Sequence, residues 1–364
     1  MRRCALWAVL LGLLLTVAGC DVGLPAGDMP AASAAPTAPV AEIESVAVTP
    51  TPPTSPPTTT PAPSPTAPLV PDRLSWHTIT ATDANVPLEY LVSLTVAPDG
   101  GLWIGSDNDG LFRYDGAAWQ QYTTADGLSD NSVHSIVMAP DGTVWVTTWY
   151  GASRLEGDRW HSYPFDLDFV GNDRHPLTMD REGGLWVGGG RGLLLLREDG
   201  WEPVVLDEEA GPQGALALLA EPSGTVWVAS GPRGLYRVQD GLAESIPLTV
   251  MPTGVRIGAL LPAVNGALWV GTSHGMYLYL DGGWETPQDG LPNAYVTSLA
   301  LAPDGALWIG THGQGVRRYT EQVTQLYTVA DGLPDSSVWA LAVDQAGRLY
   351  AATSAGLAWC DTAP

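Results

Sequence analysis

From about residue 90 to residue 360, apolar positions fall into short β-rich blocks bounded by glycine, and the blocks recur at a nearly constant interval. The most regular block, LWIG or LWVG in four of the seven units, is apolar on both faces. Its tryptophan returns at Trp103, Trp145, Trp186, Trp227, Trp269 and Trp308, with Tyr350 in the seventh place, at intervals of 42, 41, 41, 42, 39 and 42 residues. Three residues before each anchor stands a glycine, from Gly100 to Gly347, and six or seven residues after it stands another, from Gly110 to Gly356. A strand apolar on both faces has no solvent side, as in sheets sandwiched between neighbouring sheets. A period of about 40 residues with two glycine turns per unit predicts radially repeated, four-stranded antiparallel blades.

Seven anchors predict an all-β, seven-bladed β-propeller over residues 73–364. In the sixth unit the strands are expected at 295–303, 306–311, 316–320 and 323–328. The last unit runs out near 361, after only three strands, while residues 74–79 (LSWHTI) read as an orphan fourth strand. Pairing the two closes the ring and removes the exposed sheet edges that invite aggregation. A second aromatic, at Trp119, Trp160, Trp201 and Trp284, follows its anchor by 15 or 16 residues. Most of the tryptophans are therefore expected to pack between blades.

The polarity pattern changes abruptly before residue 73. Arg2 and Arg3 precede an apolar run over 5–16, which is too short for a bilayer that needs about 20 apolar residues. Val17-Ala18-Gly19-Cys20 follows, so residues 1–20 read as a signal peptide. The VAGC tetrapeptide resembles the lipobox of bacterial lipoproteins. That resemblance implies that Cys20 becomes a lipidated N-terminus, anchoring the protein outside the cytoplasmic membrane. Residues 21–72 are rich in Pro, Thr, Ala and Ser, a composition that cannot bury enough apolar surface to offset ordering entropy. They read as a disordered stalk able to reach ~160 Å at ~3.1 Å per residue.

Charge narrows the functional classes. Formal net charge is −23, which disfavours phosphate backbones, so no nucleic-acid partner is expected. All 16 basic residues are arginine, which removes Schiff-base chemistry and the P-loop lysine. Cys4 leaves with the signal and Cys20 is acylated, so Cys360 is expected without a disulfide.

PDGALWIGTHGQGVRRY from Pro303, DGLPDSSVWALAVD from Asp331 and DGLSDNSVHSIVMAPDGTVWVTT from Asp126 resemble the two-component regulator propeller repeat of bacterial periplasmic sensors. In that family the propeller is commonly the extracytoplasmic, ligand-sensing part of a hybrid histidine kinase, often for carbohydrate. Here no transmembrane helix or kinase is expected after the propeller, which argues against direct phosphorylation signalling. The repeats are also similar to those of lyases that open streptogramin antibiotics. These are seven-bladed propellers with a histidine near the axis and a divalent metal, and they supply the enzymatic alternative.

In a propeller, the loops between second and third strands and those joining successive blades open on one face. The first set contains Asp107, Asp109, Trp149, Tyr150, His274 and His312. Eleven residues before each anchor, where the innermost strands reach the mouth, stand Val92, His134, His175, Leu216, Gly258, Thr297 and Trp339. Trp149 and Tyr150 stand out because neighbouring units carry Gly, Ser or Asp at the Trp149 position, and aromatics suit ligand stacking. His134 and His175 occupy equivalent places in adjacent blades, but two histidines without carboxylates do not define a metal site. The expectation is thus a site built from Trp149, Tyr150, His134, His175, Trp339, Asp107, Asp109, His274 and His312, with no metal, no cofactor and no catalysis. Its partner would be a carbohydrate, peptide or protein ligand at the loop face, with a passive surface scaffold as a further alternative. Gly271 to Gly275 matches G-x-S-x-G, but a nucleophile elbow needs a strand-to-helix turn, and this is a hairpin. The repeated Asp-Gly-Leu at Asp126, Asp289 and Asp331 reads as an inter-blade turn.

Overall fold

The chain divides into residues 1–67 and 68–364. The structure, a computed structural model, describes residues 73–362 apart from 167–168, 170–173, 198–199, 208–213, 232–233, 264–265, 288–292 and 321–323. The signal peptide, Cys20, the stalk and Asp289 lie outside the described residues.

Seven four-stranded antiparallel sheets form the propeller. In the first blade the strands run Leu91–Val96, Leu102–Ser106, Leu111–Tyr114 and Trp119–Tyr122. The innermost strands of the other blades are Ser135–Met138, Leu177–Met179, Ala215–Ala220, Ile257–Pro262, Val296–Leu301 and Val338–Val343. Each packs beside the next, and the seventh returns to the first. The seven-bladed architecture expected from the tryptophan period is the one observed.

Closure comes from His77–Ile79, antiparallel to Gly356–Asp361, with His77 opposite Trp359 and Ile79 opposite Leu357. Trp76 just ahead of this strand is buried against Trp308 and Tyr327, with ring centroids 6.3 and 5.9 Å away. The Thr78 hydroxyl donates to the Gly332 carbonyl at 2.6 Å, and Arg73 pairs with Asp331.

The second strands are buried almost throughout, and the anchors fill the space between blades. Trp103, for example, meets Trp160 of the next blade edge-on at 6.3 Å. The turn glycines are there for space as well as conformation. At Gly110 (φ +87) and Gly315 (φ +82) a Cβ would come within 2.1 Å of the carbonyl oxygens of Tyr122 and Tyr327. The Asp-Gly-Leu aspartates are turn caps: Asp126 and Asp331 each accept the backbone N–H three residues earlier, from Thr123 and Thr328, at 2.8 Å. Cys360 is free and fully buried, and burial pushes its thiol up to about 12, so it is chemically inert at neutral pH.

Candidate functional site

The innermost strands enclose a cavity of about 670 Å3 to which all seven blades contribute. In five of the seven blades a β-bulge accompanies the side chain that points into it. In the first, fourth, fifth, sixth and seventh blades the register shifts by one residue at the mouth end, for example between Leu91 and Ser93. The extra residue lies eleven before the anchor and faces the cavity, as at Val92, Leu216, Gly258, Thr297 and Trp339. The residue before it turns into the core, as at Leu91, Ala215, Ile257, Val296 and Val338.

The second and third blades show no such shift: the second still presents His134 to the cavity, but the third does not present His175, which corrects the expectation for that residue. Ten residues before the anchor the other units carry Ser or Ala, but here Pro176 stands, with no N–H to give the ladder. Its carbonyl still accepts from Gly188 at 3.0 Å, but the paired strand begins at Leu177 with no bulge. His175 is buried with 0 % exposure, its Nδ1 2.8 Å from the Thr148 carbonyl and its ring stacked on Phe169 at 5.6 Å. Arg174 takes the place in the cavity instead.

Arg174 reaches from the third blade to the seventh, where its guanidinium carbon lies 4.6 Å from the centroid of the Trp339 ring. Burial lowers its pKa from the usual arginine value, with Asp107 and Tyr295 acting in the opposite sense. Trp339 is fixed by an Nε1–H bond to the Ser354 hydroxyl at 2.9 Å, and His312 packs on it at 5.0 Å. Tyr295 lies 6.2 Å from His312.

On the opposite rim Trp149 meets the His134 ring edge-on at 4.3 Å. His134 Nδ1 accepts the His175 backbone N–H at 3.3 Å, so in the neutral ring Nε2 carries the proton and donates to the Ser132 hydroxyl at 3.2 Å. Ser132 in turn donates to Asp107 Oδ1 at 2.9 Å. This chain holds Ser, His and Asp but in the wrong order for nucleophilic catalysis, because the hydroxyl proton points at the carboxylate and the histidine is a donor. Burial, then the charges of His175 and Arg174, press the His134 pKa down to about 3. An imidazole that weakly basic is a poor proton acceptor at neutral pH.

The same depression makes a stability prediction. Because the fold resists protonation of His134, the unfolded chain takes up the proton first. The contribution is intact above the unfolded value of about 6.5 and drains away as pH falls toward 3, by about 1.4 kcal/mol per unit. Urea titrations at pH 6.5 and 4.5 should show the wild type losing about 2 to 3 kcal/mol more than His134→Gln. Equal losses would show that His134 is not the responsible group.

The remaining expected residues stand apart. Asp109 shapes its own hairpin, its N–H donating to the Ser106 hydroxyl at 3.1 Å. Tyr150 is 53 % exposed on the rim, and His274 is exposed beside Ser273. Among the described residues no three His, Cys, Asp or Glu side chains are grouped so as to hold a metal ion. The arrangement thus gathers Asp107, His134 and Trp149 on one side and Trp339 and His312 on the other, with Arg174 between them. Sequence reasoning missed Arg174 and Tyr295. In the sequence the third blade is set apart by Pro176, where the other units carry Ser or Ala.

The two-component regulator propeller family model matches residues 127–150 and 290–313. No curated protein sequence matches the chain. Among solved structures, the chain is similar to the extracellular domain assigned to a hybrid two component system, BT4673 of B. thetaiotaomicron. There the identity is 22 % and the TM-score 0.67, covering 79 % of this chain and 39 % of that one. The corresponding domain of BT3049 from the same organism gives 17 % identity and a TM-score of 0.66, over 80 % of this chain and 42 % of that one. The chain therefore spans about two fifths of the length of these extracellular domains. Virginiamycin B lyase from Staphylococcus aureus gives 13 % identity and a TM-score of 0.66, over 79 % of this chain and 99 % of the lyase. At these identities the likeness is one of fold. The chain is a seven-bladed propeller that carries two-component regulator propeller repeats.

Proposed function

We propose that this protein is a membrane-tethered, extracytoplasmic propeller that binds a carbohydrate or peptide ligand at the mouth of its central cavity, without catalysis of its own. The observation that carries the reading is the mouth itself: aromatic and polar groups from several blades converge on a cavity of about 670 Å3, within the usual range for ligand sites. The nearest candidate base, His134, is held neutral and hydrogen-bonded. Support for sensing comes from the repeat family and from the extracellular sensor domains that share the fold. A glycan and peptide array probed with residues 73 to 364 tests the reading. Binding to a defined subset, weakened by Trp339→Ala, is expected. Failure to bind either array would overturn it in favour of a passive scaffold.

The address rests on the sequence of the first twenty residues. Among the described residues no helix is long and apolar enough to cross a membrane. Acylation of Cys20 would supply the anchor, since stable attachment needs two hydrophobic signals and a lipoprotein N-terminus carries more. Cys20→Ser should leave an unprocessed or released protein in a fractionation assay. A processed and still membrane-bound variant would contradict the lipid anchor.

A further inference from the structure

Arg174 lines the cavity together with Arg256, and it is the one seated over the Trp339 ring. Stacking on Trp339 occupies the face of the planar guanidinium and leaves its N–H edge free, which fixes the fork before any ligand arrives. Among the described residues Arg174 makes no hydrogen bond and no ion pair. Asp107, whose charge acts on it, stays beyond the 4.0 Å of an ion pair. Arg113, Arg237, Arg318 and Arg348, by contrast, each hold a carboxylate. A largely desolvated guanidinium with unfilled donors is costly, and a bidentate carboxylate is the group that fits it best.

Two further observations define the ligand. Tyr295 lines the same cavity and is 38 % exposed, so a flat aromatic face lies beside the fork. The chain as a whole carries a net charge of −23, so general electrostatic attraction does not draw an anion in and affinity must come from local recognition of a carboxylate. We infer that the mouth recognises a uronic acid residue of an acidic oligosaccharide, its carboxylate on the N–H edge of Arg174 and its ring against Tyr295. This inference rests on the binding reading above and deepens it.

The test is calorimetry of the purified full chain with a panel of oligogalacturonates, oligoglucuronates and oligomannuronates, and with the same sugars after carboxyl reduction. At least one uronate should bind and its reduced form should not. Arg174→Gln should weaken binding about 30-fold or more with no loss of melting temperature, while Arg174→Lys retains part of it, because a point charge replaces the fork. Asp107→Asn should tighten binding by removing the competing negative charge. Equal affinity for reduced sugars, indifference to Arg174→Gln, or no binding across the panel would each overturn the inference. If neutral glycans or peptides are bound on the arrays while the uronates fail, the binding reading stands and this one falls. Capture of a peptide C-terminus through Arg174 would keep the carboxylate site and overturn its assignment to sugar.

Discussion

A chain beginning at Pro87 should aggregate, or melt far below one beginning at Val70. The shortened chain loses the strand His77–Ile79, which leaves the outer ladder of Gly356–Asp361 unpaired and exposed as a β edge. It also loses Trp76, which fills the space between Trp308 and Tyr327 in the same core cluster as Cys360. Truncating a buried tryptophan alone costs about 3–5 kcal/mol. At roughly 2–4 °C per kcal/mol for a domain of this size, Trp76→Ala by itself should lower Tm by about 10 °C. The deletion should cost more, since it removes the ladder, the Thr78 hydrogen bond and the Arg73 ion pair as well. Differential scanning fluorimetry of the two chains decides the matter: equal melting temperatures would show that the ring does not depend on this closure.

The closure was legible in advance because both of its halves are local patterns. An incomplete last unit and an orphan LSWHTI segment are each visible without knowing the other, and the repeat period says how they fit. The same holds for blade count, turn glycines and the packing role of the anchors, since all follow from one interval applied seven times. The site was legible only in part, because a repeat alignment assumes that equivalent positions face the same way. Six of the seven mouth positions obey that assumption. His175 does not: it is packed into the blade against Phe169 and the Thr148 carbonyl, while Arg174 lines the cavity. The third blade thus hides a histidine and presents Arg174, which an alignment of repeat positions does not place in the cavity. Trp149 was singled out as an aromatic that no repeat demanded, and it packs on His134 at the rim. Asp109 and His274 rest on loop position alone, which does not say whether a hairpin leans over the axis or away from it.

Purified protein given a streptogramin B and a divalent metal should show no ring opening, although a lyase shares its fold. A general base contributes about 10²-fold to 10⁴-fold in rate when its pKa lies near the working pH. His134, at about 3, is protonated too weakly for that task, and its Nε2 proton is committed to Ser132. His175 is fully buried among Phe165, Phe169 and Trp149, so His175→Ala should lower the melting temperature through lost packing without altering any chemistry. The aromatic rim should behave the other way. Trp149→Ala with Tyr150→Ala removes stacking area that is partly open to solvent, so ligand affinity should fall about 30-fold, near 2 kcal/mol, with little change in Tm. The two pairs of variants thus separate a binding mouth from a catalytic one by which quantity each moves. Metal-dependent opening of the antibiotic, abolished by His134→Ala in a protein whose melting temperature is unchanged, would overturn the binding reading and make this propeller an enzyme.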